Sequence, residues 1–250
     1  MNERRKSSAD YTQLAKRIAK GSPQNMRLLE KALRLNPLND QAHYELSIPY
    51  LYSGLYEKWN LHISKAIELN PEAWQGWRGY SKLFYFRDFG GALFDLDATD
   101  NLTIDKTDYI ENMSVDFLRG LCYLGLKNHI KASEYFKRYI LKESETIGNQ
   151  FVDERAFIYG GIIYNYEKEY EKAIEYFDRA ILYKPEIADA SFHKSKSLLA
   201  LGKAELAQVE IRKARKLFED GKFMKGYYYE AIEQIYVSDL EQMEAQLVVK

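Results

Sequence analysis

The sequence predicts an all-α fold built from antiparallel helix pairs that recur along the chain. A phrase of the sequence returns at a fixed interval, as described below. Only 14 glycines and 5 prolines occur in 250 residues, which is few for a β-rich or linker-rich chain. Hydrophobic residues make up 46% of the chain, which is enough for a core and too much for intrinsic disorder.

The repeat has a period of 34 residues. The phrase LLEKALRLNP ends at Pro37 and the phrase HISKAIELNP ends at Pro71, 34 positions later. A further copy surrounds Ala132 and lies 41 residues before the copy at Ala173, which is one period plus seven. The difference predicts a short insertion near residues 147–153.

Small and aromatic residues at fixed offsets explain how such a unit would pack. An alanine on the second helix lets the first helix approach closely, and an aromatic residue four positions later fills the space beside it. A proline just past the second helix ends it. The clearest copy spans residues 154–185, and its marker residues are Gly160, Gly161, Tyr164, Tyr170, Ala173, Phe177, Ala180 and Pro185.

These residues resemble the tetratricopeptide repeat family. The resemblance implies a right-handed superhelical solenoid over residues 1–250, with six helix pairs and a C-terminal helical cap at 222–250. The predicted pairs are 6–39, 40–73, 74–107, 113–146, 154–187 and 188–221, and the first and third match the pattern least well. Ser22 and Pro23 are expected to open the second helix of the first pair.

The resemblance also implies that the first helix of each pair lines a concave groove. Twelve residues at the groove-facing positions are predicted to bind a partner: Tyr44, Tyr52, Arg78, Lys82, Tyr85, Phe117, Arg155, Ile158, Asn165, Tyr166, Phe192 and Lys196. Tyrosine suits this task because it offers a large stiff surface with one polar tip. Arg78 and Lys82 are expected to hold an acidic group. In the alternative, these aromatic residues fill the core or the C-terminal helix covers them.

No pattern of catalytic residues stands out, so no enzyme, cofactor or metal site is predicted. His43 and His62 fall on the two helices of one pair and could meet, but they lack a third ligand. Cys122 is expected to be a buried structural thiol. Asp95, Asp97, Asp100 and Asp105 do not follow a calcium-loop pattern, and a solvated acidic face is expected instead.

The sequence therefore predicts a non-catalytic scaffold that binds a peptide segment of a partner protein. The alternative is a self-associating protein that forms a homo-oligomer through exposed repeat faces. A net charge of −1 disfavours nucleic acid as the partner. The polar N-terminal sequence and the lack of an 18-residue apolar run predict a cytoplasmic protein without a membrane span.

Overall fold

A computed structural model describes residues 2–102, 109–226 and 229–248. The described residues form thirteen α-helices, so the all-α prediction is confirmed. The chain divides into two compact units, residues 1–115 and 116–250. The first unit contains α1 (Asn2–Lys16), α2 (Pro23–Leu35), α3 (Asp40–Tyr52), α4 (Tyr56–Leu69), α5 (Pro71–Ser81) and α6 (Phe89–Thr99). The second unit contains α7 (Val115–Gly125), α8 (His129–Thr146), α9 (Glu154–Tyr166), α10 (Tyr170–Tyr183), α11 (Ala188–Ala200), α12 (Ala204–Glu219) and α13 (Val237–Val248).

Side-chain caps fix where the helices begin. Ser22 accepts a hydrogen bond from the Asn25 backbone N–H at 3.2 Å, and Pro23 is the first residue of α2, as predicted. Asn70 ends α4 and also caps α5, where it accepts from the Ala73 N–H at 3.3 Å. Pro71 thus follows the end of one helix and is the first residue of the next.

The predicted packing of the fifth pair is confirmed. Ala173, Phe177 and Ala180 on α10 are all fully buried. A Cβ added at Gly161 on α9 would lie 2.5 Å from the Phe177 ring, closer than a real side chain tolerates. The two helices therefore approach closely because α9 has no side chain at this point.

Two local features of the first unit were not predicted from the sequence. A two-stranded antiparallel hairpin pairs β1 (Tyr109–Ile110) with β2 (Met113–Ser114) through a turn in which Glu111 and Asn112 both have positive φ. A π-helical segment, Lys82–Phe86, continues α5 and ends at Arg87 with φ of 54°. Residues 103–108, which include Asp105, lie outside the described residues.

The predicted insertion after α8 lies where the spacing placed it. Residues Asn149–Phe151 form a single 3₁₀ turn between α8 and α9. Gly148 precedes the turn with φ of 96°, a conformation that favours glycine. The extra residues lengthen α8 as well as the connection, since α8 has 18 residues and α10 has 14, and the helix-pair pattern resumes in α9.

The C-terminal segment is helical only in part, so the expectation of a helical cap over all of 222–250 is wrong. Residues 222–226 and 229–236 form no helix, while α13 spans Val237–Val248. Backbone groups of 222–224 bond instead to the start of α11: the Ala188 N–H donates to the Lys222 carbonyl, and the Met224 N–H to the Asp189 carboxylate, both at 2.8 Å. Leu240 and Met243 of α13 pack in one apolar cluster with residues of α11 and α12.

Candidate functional site

In the first unit, three of the predicted groove residues contribute to an aromatic surface. Tyr44 stacks on Trp74 with ring centroids 4.0 Å apart, and Tyr52 stacks on Tyr85 at 5.9 Å. Burial among these rings raises the pKa of the Tyr44 phenol well above its usual value. Tyr44 and Tyr85 are half-buried and Tyr52 is 42% exposed, so the rings serve both packing and surface.

Arg78 and Lys82 do bind a carboxylate, but it belongs to the chain itself. The Arg78 Nη2 lies 2.6 Å from Asp95 Oδ1, and the Lys82 Nζ lies 2.8 Å from Asp95 Oδ2. The Gln75 amide donates to Asp95 Oδ1 at 2.6 Å. Asp95 is fully buried, so the expected solvated acidic face is wrong at this residue. Two cations are drawn to Asp95 because an unpaired buried carboxylate would be costly.

Two predicted groove residues of the second unit belong to its interior, which contradicts their expected place in an open groove, while a third, Arg155, is partly exposed. Phe117 is 2% exposed and Ile158 is fully buried. The Arg155 guanidinium pairs with Asp153 and lies 5.4 Å from the Phe117 ring centroid. Phe117 also packs edge-on against neighbouring rings. The Phe117 and Ile158 side chains are therefore part of the core, whereas 32% of the Arg155 side chain is exposed.

The other four predicted residues converge on one cavity of the second unit. The cavity has a volume of about 550 Å³ and lies between α9, α11 and α13. Its lining consists of Asn165, Tyr166, Tyr170, Phe192, Lys196, Leu199, Ala200, Asp239, Gln242, Met243 and Gln246. The mixture of apolar walls and a few charged and amide groups is typical of a ligand-binding cavity.

Lys196 is the cation of this cavity. Its ammonium lies 5.5 Å from the Phe192 ring centroid and makes no ion pair with a carboxylate within the described residues. By contrast, the neighbouring Lys194 is held by Asp178 and Glu210 at 2.8 and 2.7 Å. Lys196 thus differs from Lys194, whose charge is neutralised by carboxylates of the chain itself.

Hydrogen bonds fix the polar groups around Lys196. The Ser197 hydroxyl donates to Asn165 Oδ1 at 2.6 Å, which anchors the Asn165 amide between α9 and α11. Asp239 accepts from the Tyr236 N–H at 2.8 Å at the start of α13. Gln242 and Gln246 follow on successive turns of α13 and line the opposite wall.

Tyr166 stands at the edge of the cavity and is 51% exposed. Its hydroxyl donates to the Glu233 carboxylate, with both oxygens at 3.0 Å, and its ring stacks on His129 at 4.7 Å. Burial and the nearby Glu233 carboxylate raise the pKa of Tyr166 to about 12. The phenol therefore keeps its proton at neutral pH and donates a hydrogen bond to Glu233.

The other side chains considered for chemistry lie outside this cavity. His43 and His62 do meet, with their Nδ1 atoms 3.2 Å apart, and burial lowers the pKa of both rings. Within the described residues, no group of three or more His, Cys, Asp or Glu is placed to hold a metal ion. Cys122 is buried, as predicted. No helix in the described part of the chain is long and apolar enough to cross a membrane.

Residues 166–220 match the family model of the tetratricopeptide repeat. This stretch of the chain carries the tetratricopeptide repeat. The match covers the last residue of α9 and all of the helices α10, α11 and α12 with their connections, and the resemblance drawn from the sequence is confirmed. Most of the cavity-lining residues, Tyr166 to Ala200, lie within the matched residues, while those of α13 follow it.

Solved structures of tetratricopeptide repeat proteins share the fold over nearly the whole chain. PilW, a type IV pilus biogenesis factor, superposes with a TM-score of 0.68 at 20% identity and covers 95% of this chain and 98% of its own. The pilF protein of Pseudomonas aeruginosa gives 0.68 at 17% identity, covering 98% and 99%. A repeat protein of Parabacteroides merdae gives 0.69 at 15% identity, covering 98% and 86%. No curated protein matches the chain in sequence.

The α13 side of the cavity escaped prediction from the sequence. Asp239, Gln242, Met243 and Gln246 line the cavity although the repeat pattern ends before them. A helical spacing of apolar residues marks Leu240 and Met243 as buried, but it does not say which face of the repeats they cover. No sequence pattern could have predicted that Glu233 binds Tyr166.

Proposed function

We propose that the protein is a non-catalytic scaffold that binds a polypeptide segment of a partner in the cavity between α9, α11 and α13. The observation that carries the proposal is the Lys196 ammonium, which lies in this cavity beside Phe192 without a carboxylate partner within the described residues. An acidic side chain of the partner would neutralise it, while Phe192, Leu199 and Met243 receive apolar groups.

The surrounding polar groups suit a peptide backbone. Gln242 and Gln246 each offer an amide that both donates and accepts, and the Tyr170 hydroxyl adds a further group. Protein partners are general among tetratricopeptide repeat proteins. Cytoplasmic location and the absence of nucleic-acid and membrane partners remain part of the proposal.

A pull-down from native lysate with mass spectrometry tests the proposal. Lys196→Glu reverses the cavity charge, and Ala200→Trp fills the cavity from an exposed position. Arg212→Glu and Val209→Trp make the matching changes at exposed positions of α12, outside the cavity. All four variants should keep the helical circular dichroism and melting temperature of the wild type.

We expect one protein to be kept by the wild type and both α12 variants and lost by both cavity variants. Equal capture of the same protein by all variants would place the partner elsewhere and refute the cavity as its site. The captured protein is then tested directly by calorimetry with the purified chain.

Self-association is the second candidate, favoured by the apolar outer surface of the second unit. Leu182 on α10 is 70% exposed, and Leu206 and Val209 on α12 are 56% and 57% exposed. Sedimentation equilibrium over a wide concentration range tests it. A monomer at all concentrations would exclude self-association under those conditions.

A further inference from the structure

We infer that His43 and His62 form a binding site for a divalent transition-metal ion, with Zn²⁺ as the ion that fits best. The site belongs to the first unit and does not depend on the proposed function. His43 lies on α3 and His62 on α4, and the helix pair brings their Nδ1 atoms to 3.2 Å from each other. The sequence predicts that the two rings could meet, but only the structure shows which nitrogen atoms face each other.

The distance between the two nitrogens suits a single metal ion. Zn–N bonds are about 2.0–2.1 Å long, so two imidazole nitrogens on one tetrahedral Zn²⁺ lie about 3.3–3.4 Å apart. The observed 3.2 Å agrees with this spacing within the roughly 0.2 Å expected of a metal site. The ring centroids are 5.5 Å apart, so the rings meet at their nitrogen edges and not face to face.

Contacts on the far side of each ring hold the two histidines in place. The His43 Nε2 lies 3.0 Å from the Pro37 backbone carbonyl, which can only accept, so Nε2 carries the proton and Nδ1 presents a lone pair. A histidine that binds a metal commonly donates its other N–H to a backbone carbonyl in this way. The His62 ring stacks on Tyr50 with centroids 5.8 Å apart. The supporting contacts of a two-histidine site are therefore formed by the chain itself.

The surroundings keep both rings neutral and favour a cation. Burial lowers the pKa of His43 and lowers that of His62 to about 4, so protons do not compete for the ring nitrogens at neutral pH. The charged groups that act on His43 are the Lys65 ammonium and the carboxylates of Asp40 and Glu68. Two negative charges against one positive charge leave an excess of negative charge beside the ring nitrogens.

The chain supplies two ligands and leaves room for others. Within the described residues, no group of three or more His, Cys, Asp or Glu is placed to hold a metal ion. Both histidines line a cavity of about 510 Å³, which the Asn60 and Ser64 side chains also line with oxygen atoms. Water molecules or a group of a second molecule would complete the coordination from this cavity, as at zinc sites that keep an open position.

The test measures Zn²⁺ binding to the full-length chain, purified without a histidine tag, by isothermal titration calorimetry. His62→Phe removes one ligand and keeps a ring that stacks on Tyr50. His43→Gln removes Nδ1 and keeps a donor for the Pro37 carbonyl. His129→Gln, on α8 of the second unit, is the matched control. The circular dichroism and melting temperature of all three variants without metal should match those of the wild type.

We expect the wild type and His129→Gln to bind one Zn²⁺ per chain with equal affinity. His62→Phe and His43→Gln should each bind it at least about tenfold more weakly, because loss of even an outer-shell contact costs that much at many metal sites. In nuclear magnetic resonance spectra of the ¹⁵N-labelled wild type, Zn²⁺ should shift the Nδ1 signals of both rings together, a result that needs no variant.

Two results would overturn the inference. Equal Zn²⁺ affinity for the wild type and all three variants would place the ion elsewhere on the chain. No binding by the wild type, with unchanged Nδ1 signals, would mean that the two rings share only a proton.

Discussion

At the scale of single residues, burial decides which charged side chains support the fold and which serve a partner. Asp95 is fully buried and takes Arg78, Lys82 and the Gln75 amide as partners. Lys196 occupies the same position in the pair 188–221 that Lys82 occupies in the pair 74–107, but it meets no carboxylate within the described residues. Lys82 thus has a structural role in the first unit, whereas we propose that Lys196 binds the partner in the second.

Asp95→Ala should therefore destabilise the protein strongly. The change leaves Arg78 and Lys82 close together without their shared counter-charge, and loss of one partner of a buried ion pair costs about 3–5 kcal/mol. Urea unfolding followed by circular dichroism measures the free energy of unfolding. Asp10→Ala, at an exposed position of α1, is the control and should change the free energy of unfolding by less than about 0.5 kcal/mol. A similar loss in the free energy of unfolding for the two variants would mean that the ion pairs of Asp95 do not stabilise the fold.

Asp189 should make stability depend on pH. Burial raises the pKa of its carboxyl from the ordinary 3.8 to about 7, although the hydrogen bond from the Met224 N–H lowers it in part. Its Oδ1 has no hydrogen-bond partner within the described residues. The folded state therefore favours the protonated form, and this contribution to stability is complete below pH 3.8 and is lost as the pH rises through about 7.

Asp189→Asn tests this contribution, because an amide oxygen still accepts from the Met224 N–H but carries no charge. The melting temperature of the variant minus that of the wild type should rise steadily between about pH 5 and pH 8. His193, whose pKa burial lowers to about 3, changes stability in the opposite direction but equally in both proteins. A difference in melting temperature that is constant across this range would contradict the assignment.

At the scale of helices, two helices of a pair approach closely where one of them has a glycine and therefore no side chain. Gly161 has no side chain where the Phe177 ring lies against α9, and a Cβ there would come within 2.5 Å of that ring. Gly161→Ala should cost about 1–3 kcal/mol, because overpacking moves α9 away from α10. Gly90→Ala in the first turn of α6 is the control, since a Cβ there meets nothing within 4 Å. If both substitutions leave the melting temperature unchanged, the close packing of α9 and α10 is not limited by Gly161.

The sequence predicts these elements well because they depend on contacts within one repeat. Ala173 and Phe177 are four residues apart on one helix, so their spacing reports their shared face. Asp95 and Glu233 are different, because each binds residues of another element, 17 and 67 positions away. No local pattern records such a pairing. The buried acid, the hairpin at 109–114 and the non-helical course of 229–236 accordingly escaped prediction.

At the scale of the whole chain, the repeats leave an apolar face at their C-terminal end that α13 covers. Leu240 is fully buried, and Met243 is 4% exposed, in the cluster formed with Ile211 and Ala214 of α12. The Arg215 guanidinium adds a paired contact to Glu244, at 3.0 and 2.7 Å. Because α13 also forms one wall of the cavity, the end of the fold and the proposed partner site depend on the same helix.

Deletion of residues 237–250 should therefore produce two effects together. The exposed faces of α11 and α12 should cause self-association, seen as a concentration-dependent mass by light scattering after size-exclusion chromatography. Partner capture should be lost as well, because Gln242, Met243 and Gln246 leave the cavity with α13. Leu240→Ala separates the two effects: it should cost about 2–5 kcal/mol in the free energy of unfolding while the cavity walls remain. Exposing a buried apolar surface has a cost in free energy. A deletion variant that stays monomeric and melts like the wild type would therefore contradict the role of α13 as the cover of that surface.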